Sequence, residues 1–507
     1  MPRLTISVRR RRDGGAHMRK RNTIVMMIVF LLPWLLSGCS SVTTATNTQT
    51  PVVVRDGVTY MRAESGLSYA VIDWDHSATT VEIAGSIDDI PVTYIDPLVF
   101  KDDVNLTSVV FNENLAVIGQ EAFYGCSALN NLVFPSTLST IDYLAFARCT
   151  SLETLVFPKI LATIGNWAFA YDTALTYLDF TLGRTAIGNY AFFGCSSLVD
   201  IDFSYTLRVI GQDAFKETPW DSGLPEGFIY LGNYLYEYRG TIAPDQIIEL
   251  DTNTSYIGYN AFKNQTNLTA IIIPENVARI YGYAFSGCTQ LASVILPSLL
   301  IEIGFEAFKN CSSLTVVELP PSLSKLGVGA FSGCTSLTAV TLSTSFDVLE
   351  RQVFAGCTSL TSIFLPKRLK SIGESAFADC TVLTTVVFED DSLLLAIGAK
   401  VFRNCVSLTG VVLPAKLTDI GMYAFSNCRN MTQVYLPSTL KSIGLQAFYQ
   451  CTSLTSIVIP ANVSIMDADV FLDCSNLTIY CELPRMPISW DGLWNHDDRP
   501  VVWNYHG

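Results

Sequence analysis

From residue 100 onward, apolar and polar positions follow one another with a period of 23 residues. One phenylalanine marks the period. It recurs at Phe100, Phe123, Phe146, Phe169, Phe192 and Phe215, and after a gap of 47 residues at Phe262, Phe285, Phe308, Phe331, Phe354 and Phe377. A step of 25 leads to Phe402, then Phe425, Phe448 and Phe471, which makes 16 copies. The residue before the marker is Ala in twelve copies and Val in four, so only a small side chain fits there. Four residues before it stands Gly in eleven copies and Asp in three (Asp96, Asp142, Asp467). Gly and Asp both tolerate positive φ, so this position is expected to be a left-handed turn.

Beyond the marker, segments such as Leu360–Pro366 alternate apolar and variable residues. That is the period of a half-buried strand, and the proline that often follows ends it. One copy therefore reads as strand, turn, a short second extended piece, a glycine turn, then about one helical turn carrying Ala-Phe. No copy can bury its apolar columns alone. Stacked copies can, because each column then meets itself in the next coil. The expected fold is α/β but strand-dominated: a solenoid of 23-residue coils, with a parallel sheet along one face and short helical turns on the other. At roughly 4.8 Å per coil the array extends on the order of 80 Å.

Three residues past the marker, twelve of sixteen copies carry Cys, and the others carry Asp103, Asp172, Thr218 and Gln265. Equivalent Cβ atoms in neighbouring coils sit near the strand spacing, wider than the roughly 3.8 Å of a disulfide. The column reads as a ladder of buried thiols facing backbone groups, with a disulfide in some adjacent pair as the alternative.

The strand also exposes a column to solvent, the residue before its last apolar position. It runs Val110, Val133, Val156, Asp179, Asp202, Ile272, Ile295, Glu318, Thr341, Phe364, Val387, Val412, Tyr435 and Val458. An apolar stripe of this length marks an interaction surface, although β-propensity alone favours Val and Ile in strands. Ile272, Ile295, Phe364, Val387, Val412 and Tyr435 are the candidate ligand-binding residues.

Composition narrows the function. The chain of 507 residues is 49% hydrophobic and 15% charged, with a net charge of −14. Without a basic stripe it does not suit nucleic acid. Its four histidines, His17, His76, His496 and His506, all lie outside the repeats. No nucleophile elbow, zinc-protease motif or phosphate-binding loop is found. No catalytic residue, cofactor or metal site is assigned. His496-Asp497-Asp498 reads as a solvated turn rather than a metal ligand set. Trp490, Trp494 and Trp503 read as a lid on the last coil, with a sugar-stacking platform as the alternative.

The N-terminus has its own pattern. "MRKRNTIVMMIVFLLPWLLSGCS" (18–40) has a basic start, a short apolar run and small residues before a cysteine, the shape of a signal peptide. Leu36–Cys39 resembles the lipobox of bacterial lipoproteins, which implies lipid on Cys39 and attachment to a membrane. An ordinary signal peptide or a short anchor helix is the alternative. Residues ahead of Met18 suggest a misassigned start, and Arg9–Arg12 match a twin-arginine signal only weakly.

The stretch "CTSLTSIFLPKRLKSIGESAFAD" (357–379) resembles the unit of the BspA-like leucine-rich repeat family, and the resemblance extends over about 67–507. The departures are Leu349-Glu350 in place of Ile-Gly, and two added residues within Glu389–Leu394. The resemblance implies a leucine-rich repeat solenoid at the cell surface or outer membrane. It further implies adhesion to extracellular or host surface proteins. Glycan or polymer capture in a nutrient-scavenging complex is the alternative. The expected organisation is a signal peptide (1–38), lipidated N-terminus and tether (39–55), cap and entry coil (56–99), repeats (100–217), insertion (218–250), repeats (251–474) and C-terminal cap (475–507).

Overall fold

The structure is a computed structural model and describes residues 52–506, apart from 181–182, 184, 204–206, 208 and 245. Cys39 and its lipobox lie outside the described residues. The described chain forms a strand-dominated solenoid of stacked coils. Each coil contributes two short strands, and both build parallel ladders in register with the 23-residue repeat. Thr140-Ile141 pairs with Thr163-Ile164, and Thr154–Val156 with Tyr177–Asp179. The 25-residue step keeps the register, since Ser371-Ile372 pairs with Ala396-Ile397. The second extended piece is thus a sheet of its own.

The third side of the coil holds a difference from the sequence reading. The Ala-Phe segment is a run of tight turns rather than a helical turn; the helix among the described residues is Pro219–Ser222, in the insertion. Two residues before the marker and two residues after it, every one of the sixteen coils is left-handed, as at Glu121 and Gly125, or Trp167 and Tyr171. The chain holds these residues there through a backbone ladder between coils. Glu121, Phe123 and Gly125 donate N–H groups to the carbonyls of Tyr143, Ala145 and Ala147 at 2.7–2.9 Å, and other coils repeat the pattern.

The glycine column is not left-handed, which corrects the expectation. Gly211 and Gly327 lie outside the positive-φ set. A Cβ at Gly211 would stand 2.4 Å from the backbone nitrogen of Asn189, and one at Gly327 would stand 2.3 Å from that of Phe305. Glycine is required because consecutive coils touch backbone to backbone there. At two of the three Asp replacements the carboxylate caps a neighbouring amide: Asp142 accepts from Tyr143 N–H, and Asp467 from Leu445 N–H.

Inside the coil the marker phenylalanines stack face to face. Centroids are 4.7–5.5 Å apart between Phe100 and Phe215, and 5.0–5.7 Å apart between Phe262 and Phe471. Trp74 covers the first ring and Trp494 the last. The insertion bridges the two stacks. Trp220 packs on Phe215 and Tyr236, while Tyr238 of the same hairpin packs on Phe262. A partly buried ion pair of Asp221 with Arg239, 2.9 Å apart, holds the hairpin to the short helix.

Candidate functional site

The cysteine ladder shows what the interior chemistry does. All thirteen described cysteines are buried and free. In every one of the twelve repeat positions the thiol donates to the carbonyl of the marker phenylalanine in the preceding coil, at 2.9–3.4 Å. The thiol is small and apolar, yet satisfies a buried acceptor. Burial pushes Cys126, Cys288, Cys334 and Cys380 up to about 12. These thiols stay protonated and are unsuited to nucleophilic or redox chemistry.

The departures from Cys have local causes. Asp103 opens the first array, where it accepts from Leu106 N–H and Trp74 Nε1–H and bonds His76. Gln265 opens the second array and bonds the incoming chain at Gly240 and Ile242. Thr218 closes the first array and caps the helix at Asp221 N–H. Asp172 alone stands mid-array. One of its oxygens accepts from Cys149 N–H at 2.8 Å, and the other, fully buried, has no partner among the described residues. Burial holds its carboxyl well above the usual carboxylate range.

The exterior of the strands that follow the cysteine turn offers the broader surface. The column expected to face outward does so. Ile295 is 81% exposed and Val412 67%, and Ile272, Phe364, Val387 and Tyr435 are exposed as well. The strands bring four of the six together. Phe364 pairs in register with Val387, and Val412 with Tyr435, on adjacent coils. Ile272 and Ile295 lie on neighbouring coils, separated from that group by Glu318 and Thr341.

Over Val387, Val412 and Tyr435 runs a groove of about 690 Å³. Gly410 lowers its floor between Thr385 and Gln433. Tyr435 forms one wall and donates its hydroxyl to Gln433 Oε1 at 2.9 Å. Glu389, Asp390 and Asp391, in the 25-residue coil, form the lip. Sequence reading missed this groove. The signals were present, a glycine in a column of larger residues and two added residues, but their adjacency needed the fold.

The same columns carry carboxylates in the first array: Asp179, Asp200 and Asp202, with Tyr177 among them donating to Asp202 at 2.9 Å. Burial and these carboxylates push the Tyr177 phenol up to about 12.

At the C-terminal end, Trp490 and Trp494 are 3% and 5% exposed and close the core, and Trp490 Nε1–H bonds the Val463 carbonyl. Trp503 packs against both. His496 bonds Asp469, and Asp497 accepts from Asp473 N–H and from Arg499. Asp498 is a left-handed turn residue. These groups hold the cap together and do not converge on one point.

No curated protein matches the chain. Among solved structures it is similar to a leucine-rich repeat protein from Bacteroides ovatus, with 20% identity, 85% of this chain and 99% of that one covered, and a TM-score of 0.39. A leucine-rich cell surface protein from Faecalibacterium prausnitzii shows 18% identity over 91% and 97%, with a TM-score of 0.32. The pneumococcal vaccine antigen PcpA shows 16% identity over 90% and 99%, with a TM-score of 0.30. These likenesses concern the fold alone. The family model described as BspA type leucine rich repeat region matches residues 93–220, 229–361, 279–395 and 395–484. Those segments span well over half of the 507 residues, and the chain belongs to the BspA-type leucine-rich repeat family.

Proposed function

We propose that this protein is a non-enzymatic, lipid-anchored cell-surface binder that engages protein partners through the sheet face of its second array. The observation that carries the reading is the contiguous exposed group Phe364, Val387, Val412 and Tyr435 with its groove. Apolar side chains held on a rigid sheet cost little entropy to present, and aromatic anchors commonly dominate interfaces. Two solved structures with this kind of fold are described as a cell surface protein and a vaccine antigen, which suits a surface location. Lipid on Cys39 would supply the anchor.

Binding to a panel of immobilised extracellular matrix proteins tests the reading. Phe364→Ser combined with Tyr435→Ser is expected to weaken binding strongly, since hot-spot losses run to about 2 kcal/mol or more each. Thermal stability should stay unchanged, because both side chains face solvent. Normal binding by the double variant would refute the assignment. The anchor has a separate test. Cys39→Ala should move the protein from the membrane fraction to the soluble one, and should abolish labelling by a fatty-acid analogue. Equal labelling of both forms rules out lipid on Cys39.

A further inference from the structure

One coil breaks the repeat in a way that builds a second cleft. Where most coils read Ile-Gly-x-x-Ala-Phe, residues 280–285 read Ile-Tyr-Gly-Tyr-Ala-Phe. Tyr281 thus occupies the glycine column, and the glycine has moved one place on. Tyr281 is buried and stacks on Tyr259 of the preceding coil, with centroids 5.1 Å apart and planes at 23°. Gly282 leaves open the position that Tyr259 and Phe305 fill in the coils on either side. The Phe305 ring lies over that opening, for a Cβ at Gly282 would stand 2.7 Å from it. Tyr259 and Phe305 end 6.0 Å apart with their planes at 46°, an aromatic cradle that is only half-buried.

The cradle is the apolar end of a cleft of about 730 Å³ beside the two-residue strands, away from the strands that carry the groove. The rest of the cleft mixes apolar residues such as Leu326, Val328 and Val348 with charges of both signs. Glu302, Asp347 and Glu350 line it, opposed by Lys325 and Arg368 in the lining and by Arg279, whose Nε lies 3.2 Å from Glu302. Asp347 is paired with Lys370 at 3.0 Å and Arg368 at 3.4 Å. The Tyr281 hydroxyl, buried beneath the cradle, faces the Arg279 guanidinium. From Tyr259 to Val348 the cleft crosses four coil steps, roughly 19 Å at the spacing of parallel strands.

We propose that this cleft binds a neutral oligosaccharide, with pyranose faces against Tyr259 and Phe305 and hydroxyl groups bonded to the charged rim. Sugars present flat C–H faces and many hydroxyls. The cleft answers with aromatic rings at one end and paired donors and acceptors along its length, the combination of apolar contact and a few fixed polar groups that small-ligand sites use. A rim whose carboxylates are largely paired with neighbouring cations offers no strong uncompensated charge to an anion or a cation. The site is independent of the protein-binding face and uses none of its residues.

The test is native electrophoresis of the whole protein through gels containing dextran, amylopectin, xylan or polygalacturonate. Retardation is expected in at least one of the three neutral polymers. Tyr259→Ala should weaken it at least tenfold. So should Phe305→Arg, which copies Arg351 in the same column and is therefore compatible with the fold. Gly282→Ala keeps both rings but displaces Phe305, and should weaken retardation as well. Phe364→Ser with Tyr435→Ser should leave it intact. Free passage through all three neutral gels overturns the proposal. Equal retardation of wild type and Phe305→Arg overturns the site. Retardation by polygalacturonate alone overturns the neutral class.

Discussion

The six coils from Phe100 to Phe215 and the ten from Phe262 to Phe471 share one backbone but differ inside and out. The first array doubles its aromatic core. Besides the marker stack, Phe111, Phe134, Phe157, Phe180 and Phe203 form a second ladder whose rings meet the first edge to face. In the second array that column is mostly aliphatic, as at Ile273, Leu319 and Leu365. Its thiol ladder, in turn, runs unbroken from Cys288 to Cys474, whereas the first is interrupted by Asp172. Outside, the outward column of the first array runs Val110, Val133, Val156, Asp179 and Asp202, ending in two carboxylates, where the second sets Val387, Val412 and Tyr435 side by side. The stack requires small, apolar and hydrogen-bonding roles in fixed columns. It leaves open which residues fill them, and leaves the outward columns free for recognition.

The largest effect is expected from the shared element. Phe308→Ala removes a fully buried ring from the middle of its stack and should cost about 3–5 kcal/mol. Coils touch only their neighbours, so limited proteolysis should cut first near that coil while distant coils stay protected. Phe146→Ala should behave alike in the first array. Uniform loss of protection would argue against independent coils.

Asp172 separates the arrays next. Its carboxyl binds its proton more tightly folded than unfolded. Stability is therefore whole below the unfolded pKa, about 3.9, and falls with rising pH at up to about 1.4 kcal/mol per unit until the folded pKa is passed. Asp172→Asn, which can accept from Cys149 N–H and donate to the Phe146 carbonyl in place of the missing thiol, should remove that slope. At pH 8 it should stabilise the first array by about 1–3 kcal/mol, read as a higher urea midpoint. An unchanged pH profile in the variant would mean Asp172 titrates normally.

The double ladder predicts a smaller difference. A cycle of Phe134→Leu and Phe146→Leu should show a coupling of about 0.5–1.5 kcal/mol from their edge-to-face contact at 5.8 Å. The matching pair Leu319 and Phe331 has no aromatic contact to lose and should be close to additive. Last, iodoacetamide should leave the ladder thiols of both arrays unmodified at pH 8 in native protein and label them after unfolding, because burial keeps them protonated. Rapid native labelling in either array would show that its coils open.

The period, the inward columns and the hydrogen-bonding role of the cysteines were legible in the sequence, because stacking writes one physical requirement 16 times. The glycine column was visible but its reason was misread, since close backbone approach and positive φ leave the same residue behind. The true left-handed positions were hidden. Trp167, Tyr190 and Lys400 occupy them, residues with no intrinsic preference for that geometry, held by the amide ladder between coils. The outward stripe could be listed from alternation. The groove at Gly410 and the cradle at Gly282 could not, because each arises from one missing side chain beside a larger one in the next coil, a relation across coils that no single copy displays.

The central claim is that the second array's outward column, and not its fold, confers protein binding. It is tested most directly by giving that column the two carboxylates that the first array carries there. Val387→Asp with Val412→Asp copies Asp179 and Asp202 onto the groove floor. Binding to the immobilised matrix proteins is expected to fall at least tenfold, with an unchanged thermal midpoint. Binding equal to wild type by this stable variant would contradict the claim.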